Sequence, residues 1–278
     1  MLRTVTAPLK NHEEVYDYCV SQYAKNEIKQ NFNLLRPAVI GQGYLFVALA
    51  QKGGVLALEP IDVSKNDQDK LEDMYELRLV NKNGISRETY DAIRSVSSVC
   101  PYCGFGEVSE LDHFLAKSVF PELSVCPLNL IPVCHRCNHL KGATNPTPEG
   151  NFFFNPYFDS VPHEERWLFA RIEIVNGGPK LTYWIDTSAF GDTLAHRLEF
   201  HFEKLELCRR YQERAAEILV EMQQHVEMYL SKLGEEGIRL HFVDEAIRWG
   251  KKTVNGLEAT AYLAASLHDD FCNGNFKN

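Results

Sequence analysis

The chain has 278 residues, 45% apolar and 24% charged, enough for one large domain or two small ones with a real core. Its 29 basic and 38 acidic residues leave a net charge of −9, which excludes a protein that holds nucleic acid by bulk positive charge. No 18-residue run is uniformly apolar, and the first ten residues lack the basic-then-apolar layout of a signal peptide. The expectation is therefore a cytoplasmic protein with no membrane span.

Taken in chain order, residues 12–31 carry a helical stripe of Tyr16, Cys19, Val20, Tyr23, Ala24 and Ile28. Residues 38–50 are nearly all apolar with Gly41 and Gly43 inside, so strand and buried helix both fit. After the Gly53-Gly54 turn, residues 67–80 read as a second helix, broken at Asn83-Gly84. Ser86 is placed to cap a short third helix reaching Val96, with Glu88 in its first turn.

Residues 99–160 are rich in Cys, Pro, Asn and Gly, so regular elements there must be short. Residues 168–175 and 180–186 read as a β-hairpin joined by Asn176-Gly177-Gly178-Pro179. Residues 192–233 contain no Gly and no Pro, and apolar residues recur at 198, 202, 205, 208, 211, 215, 218, 222, 226, 229 and 233. That step is close to a heptad. It describes either a helix packed on its own domain or a homodimer seam. Residues 257–271 form a last amphipathic helix. The expected fold class is α+β, mainly helical. A mostly helical region spans 1–98, a metal-stapled module 99–160, and a hairpin plus helices 161–278.

Eight cysteines lie in the chain, and four of them form two pairs, Cys100-x-x-Cys103 and Cys134-x-x-Cys137. With no secretion signal, a disulfide framework is not expected. A single C-x-x-C could be a redox dithiol. Two such turns instead make a closed tetrahedral thiolate shell, the preferred shell of structural Zn²⁺. Cys19, Cys126, Cys208 and Cys272 have no such pairing and read as small buried hydrophobes.

Between the pairs the sequence runs CPYCGFGEVSELDHFLAKSVFPELSVCPLNLIPVCHRCNHLKG, residues 100–142. Asp112-His113, Asn129, and Asn138 directly after Cys137 stand out in it. A hard anionic Asp112 suits Mg²⁺ or a similar cation, and a neutral His113 can take a proton from water. Asn129 lies in the loop, where its amide can bond backbone on both sides.

In this ordered combination the segment resembles the HNH endonucleases, the ββα-metal nucleases, in their zinc-stapled form. The resemblance covers residues 100–142 only. It implies Asp112 and Asn138 as ligands of a catalytic Mg²⁺ or Mn²⁺, His113 as general base, and Asn129 as the residue holding the loop. The third motif position carries Asn, giving H-N-N in place of H-N-H. A register shift of one residue would make His139 the ligand instead. Lys141 reads equally as a phosphate contact or a solvated helix residue. The implied activity is hydrolysis of DNA phosphodiester bonds to a 5′-phosphate and a 3′-hydroxyl. The nearly neutral flanks resemble HNH subunits of prokaryotic anti-phage systems such as the Septu type, which accompany an ATPase. That likeness implies an antiviral defence effector whose ATPase-like partner brings or gates the DNA. The competing reading is a zinc-stabilised interaction module without catalysis.

Overall fold

A computed structural model describes residues 2–276 except 85, 149, 176 and 177. The fold is mixed α+β with predominant helix and two small antiparallel hairpins. It divides into two compact units, residues 2–160 and 161–278. The regions read as 1–98 and 99–160 therefore share one unit.

In the first unit, α1 (His12–Ser21) starts at Asn11, whose side chain accepts from the Glu14 N–H while Glu14 accepts from the Asn11 N–H. This reciprocal cap fixes the helix start. The stripe over 12–31 does not continue as one helix. It breaks after Ser21 and resumes in α2 (Asn26–Ala50). The ambiguous stretch 38–50 is helix, the last half of α2. Gly43 is required there, because a Cβ at that position would lie 2.0 Å from Nδ1 of His12. By length and composition alone α2 could cross a membrane. Its Phe32, Val39 and Ile40 sit in the unit's own core.

Helix α3 (Lys65–Met74) runs on through a wide π-type turn, Tyr75–Val80, into the region of α4 (Arg87–Arg94). Ser86 makes no side-chain cap on α4. It is buried, accepts from Gln22 Nε2, and receives the Cys19 thiol at 3.7 Å. A buried partner has outcompeted the cap.

Strand β1 (Glu110–His113) pairs antiparallel with β2 (Leu130–Val133), with Asp112 opposite Ile131 and His113 opposite Leu130. Helix α5 (His135–Lys141) follows β2 at once. Leu111 and Leu130 join the core formed by α1 to α4. The hairpin is therefore seated on helices whose sequence lies far from it. Residues 3–5 also close onto this region: Arg3 N–H donates to Pro101 O and Val5 N–H to Pro156 O, each at 3.1 Å. The Asn155–Asp159 turn reaches β2 through the Tyr157 hydroxyl, 2.8 Å from Leu130 O, and α2 through Phe158 on Phe46. Those anchors lie within this unit.

In the second unit, β3 (Leu168–Val175) pairs with β4 (Gly178–Ile185). The Asn176-Gly177 tip of the expected turn lies outside the described residues. The expected helix 192–233 is two: α6 (Asp192–Lys204) and α7 (Leu207–Gly250), separated at Glu206, whose φ is 52°. Helix α7 is itself interrupted at Gly234 (φ 69°, ψ 176°). Its seam residues Tyr211, Ala215, Ile218, Met222 and Val226 are buried inside the unit. Helices α8 (Leu257–Ser266) and α9 (Asp269–Cys272) replace the single C-terminal helix.

Candidate metal centre and adjoining cleft

The first cysteine pair sits in a tight loop. Cys100 N–H donates to Gly106 O at 2.7 Å, and Gly104, at φ 78°, turns the chain left-handed. Gly106 has no room for a side chain: a Cβ there would stand 2.8 Å from the Cys134 sulfur. The second pair straddles the start of α5, with Cys134 at its N-cap and Cys137 in its first turn.

All four sulfurs lie within 4.8 Å of one another and all four residues are buried. The Cys103 and Cys134 sulfurs are 3.9 Å apart. Tetrahedral Zn²⁺ with bonds of about 2.3 Å needs sulfur–sulfur edges of about 3.8 Å, so the cluster fits that ion. The four thiols titrate as one cluster, with Cys103 and Cys134 pulled down and Cys100 and Cys137 pushed up by their mutual hydrogen bonds. Among the other cysteines, Cys19, Cys126 and Cys272 are buried, as their isolation in the sequence suggested, and Cys208 is partly so.

Beside the staple lies a cleft of about 290 Å³ lined in part by Asp112, His113, Asn138, Glu72, Glu76 and Lys117. Three of the four chemistry-bearing residues singled out from sequence thus meet at one cavity. His113 is 8% exposed, and its Nε2 is 2.8 Å from the Ser124 carbonyl oxygen. A carbonyl only accepts, so Nε2 carries the proton and Nδ1 is the basic nitrogen. Tyr75 meets the imidazole edge-on at 4.5 Å. Burial drives the His113 pKa down to about 3, which keeps the ring neutral.

The fourth residue, Asn129, is fully buried and does not line the cleft. Its Oδ1 accepts from Leu115 N–H at 2.8 Å; its Nδ2 donates to Leu115 O at 3.0 Å and Leu123 O at 3.2 Å. It ties the loop after β1 to the turn before β2.

Asp112 is 5% exposed, and burial lifts its pKa to about 6 against the opposing pull of Lys141. The Lys141 ammonium lies 3.1 Å from the carboxylate and donates to His113 O at 2.6 Å. At 2% exposure, Lys141 is neither solvated nor free for phosphate. Tyr102 adds a hydroxyl donor to Asp112 at 3.4 Å. Asn138 donates its amide to Glu110 Oε2 at 2.5 Å, and His135 contacts the other Glu110 oxygen at 2.7 Å. Asn138 lines the cleft; His139 is exposed and stacks on His135.

Glu110, Tyr75 and Tyr102 were missed by sequence reasoning. Glu110 was discoverable, since it stands two residues before Asp112 on one strand and so shares its face. The tyrosines were not, because no local pattern links them to β1. Carboxylates with one amide oxygen are the donor chemistry of a hard divalent cation. The residues fit such an ion in type, with the Lys141 ammonium as a competing positive charge on Asp112.

No family model and no solved structure matches the chain. It is 28% identical over 235 residues to protein ea31 of Escherichia phage lambda, across 80% of this chain and 79% of that protein.

Proposed function

We propose that the first unit is a zinc-stapled HNH endonuclease that hydrolyses DNA phosphodiester bonds. One observation carries the reading: a β1–β2–α5 unit, closed by four cysteines, sets a buried His, an Asp and an Asn around a single cleft. Asn129, buried in the loop between the strands, does what that architecture asks of its middle Asn.

In this reading Nδ1 of His113 accepts a proton from the attacking water. Ser124 O and the Tyr75 ring hold the imidazole in the tautomer and orientation that make Nδ1 the base. Asp112 and Asn138 would hold Mg²⁺ or Mn²⁺, which when bound offsets the negative charge building on the phosphate. Lys141 fixes β1 against α5 by holding Asp112 and the His113 carbonyl together. Zn²⁺ at the cysteines does no chemistry and keeps α5 in register with β1.

Few basic side chains surround this cleft: residues 100–150 carry 3 basic and 5 acidic residues. We therefore read substrate delivery as the task of a second protein, such as an ATPase subunit, in an antiviral setting. A metal-dependent plasmid-nicking assay tests the function. Wild type should nick DNA with Mg²⁺ or Mn²⁺, and His113→Ala should not, while zinc content and melting temperature stay near wild type. Equal nicking by both proteins would remove His113 from the mechanism. No nicking by the wild type, with or without a co-purified partner, would favour a non-catalytic zinc module.

A further inference from the structure

Helix α7 reverses at Gly234, whose backbone leaves the helical region. The reversal brings His225 Nδ1 within 3.1 Å of His241 Nε2. On an unbroken helix, residues 225 and 241 would be about 24 Å apart. Gly237 allows the close turn, since a Cβ there would stand 2.5 Å from Leu233 Cβ. One helical turn farther from the reversal on each leg stand Glu221 and Glu245, on the same faces as the two histidines.

These carboxylates belong to the same neighbourhood. Glu245 is pulled down first by its hydrogen bond to Arg248 and, among further charges, by His241 and His225. Tyr262 of α8, 1% exposed, is pushed above the ordinary phenol range by burial and then by Glu221 and Glu245. The two imidazoles themselves are only partly covered, so solvent ions reach them.

We propose that His225 and His241 form a two-imidazole chelate for a late first-row divalent cation of the Zn²⁺ or Ni²⁺ class. Glu221 and Glu245 supply negative charge beside it. Metal–nitrogen bonds of about 2.0–2.1 Å give nitrogen–nitrogen edges of about 2.9 Å in an octahedral shell and about 3.4 Å in a tetrahedral one. The 3.1 Å separation lies between them. Imidazole pairs suit these ions and not Mg²⁺. Without metal, one ring N–H is shared with the facing nitrogen. Binding needs a lone pair on both facing nitrogens, so the donor ring carries its proton on its other nitrogen instead and no net proton is released. The chelate joins the two legs of α7 and exists only when they are folded together, so metal stabilises the folded form by mass action.

The test uses the full chain loaded with one equivalent of Zn²⁺ at the cysteines, titrated with NiCl₂ while released zinc is monitored. One further Ni²⁺ per chain should bind without zinc release and raise the melting temperature with concentration. His225→Ala and His241→Ala should each weaken this binding by about a hundredfold, the loss expected when one arm of a two-point attachment goes. His225→Gln keeps a hydrogen-bonding partner for His241 and should lose Ni²⁺ equally. The proposal is overturned if no further Ni²⁺ binds, if nickel uptake matches zinc release, or if H225A/H241A binds as wild type does.

Discussion

The ammonium of Lys141 and the carboxylate of Asp112 form an ion pair at 3.1 Å with side chains only 1% and 5% exposed. Such a pair costs desolvation on both sides, and removing one partner strands the other. Lys141→Met should destabilise the first unit by about 3–5 kcal/mol, read from urea unfolding. Asp112→Asn in the same chain should recover much of that loss. A single variant as stable as wild type would mean that Asp112 is not held charged by Lys141.

The cysteine cluster makes a separate forecast. Metal bound only by the folded loops contributes its binding energy to folding. Cys134→Ser should lower bound zinc below one equivalent and drop the melting temperature, and a strong chelator should do the same to wild type. Unchanged melting after complete zinc removal would argue that the loops hold themselves.

Two glycines of α2 should respond oppositely to alanine. Gly41 faces open space, so Gly41→Ala should stabilise the helix by about 0.5–1 kcal/mol. At Gly43 the new Cβ would meet the His12 ring, so Gly43→Ala should destabilise by about 1–3 kcal/mol or more. Thermal unfolding of the pair measures both.

His12 also sets a pH dependence. It is 8% exposed, and burial lowers its pKa from the ordinary 6.5 to about 4. Below pH 6.5 the unfolded chain binds a proton that the folded chain refuses until about pH 4. Stability is therefore full above 6.5 and falls between 6.5 and 4, by on the order of 3 kcal/mol. His12→Gln should remove that part of the slope, as stability measured at pH 7 and pH 4.5 will show.

The short-range chemistry was legible in the sequence, and the long-range packing was not. Each C-x-x-C turn aims two sulfurs at one point, and Asp112 and His113 are neighbours in the chain. Lys141 looked like an ordinary helix-end cation because nothing local announces the buried Asp112 above it. The seam over 192–233 has the right period, but the break at Glu206 carries neither Gly nor Pro to mark it. The reversal at Gly234 fell one residue past the span, so the sequence left open whether the seam packs on its own domain or on a second copy. Residues 38–50 stayed ambiguous because both glycines weaken a helix, and only the His12 ring explains why one of them is needed.

The backbone bonds from Arg3 and Val5 to Pro101 and Pro156 set an order of events during synthesis. Residues 3 and 5 leave the ribosome well before Cys137, the last ligand of the staple. At about 5–20 residues per second, Val5 waits roughly 8 to 30 seconds for the Pro156 carbonyl that it will grip. Until β2 is made, α1 and α2 are present without the hairpin that brings Leu111 and Leu130 to their core. The first unit is thus a late-closing fold, in which residues 3–5 finish docking only after the last cysteine of the cluster has been made.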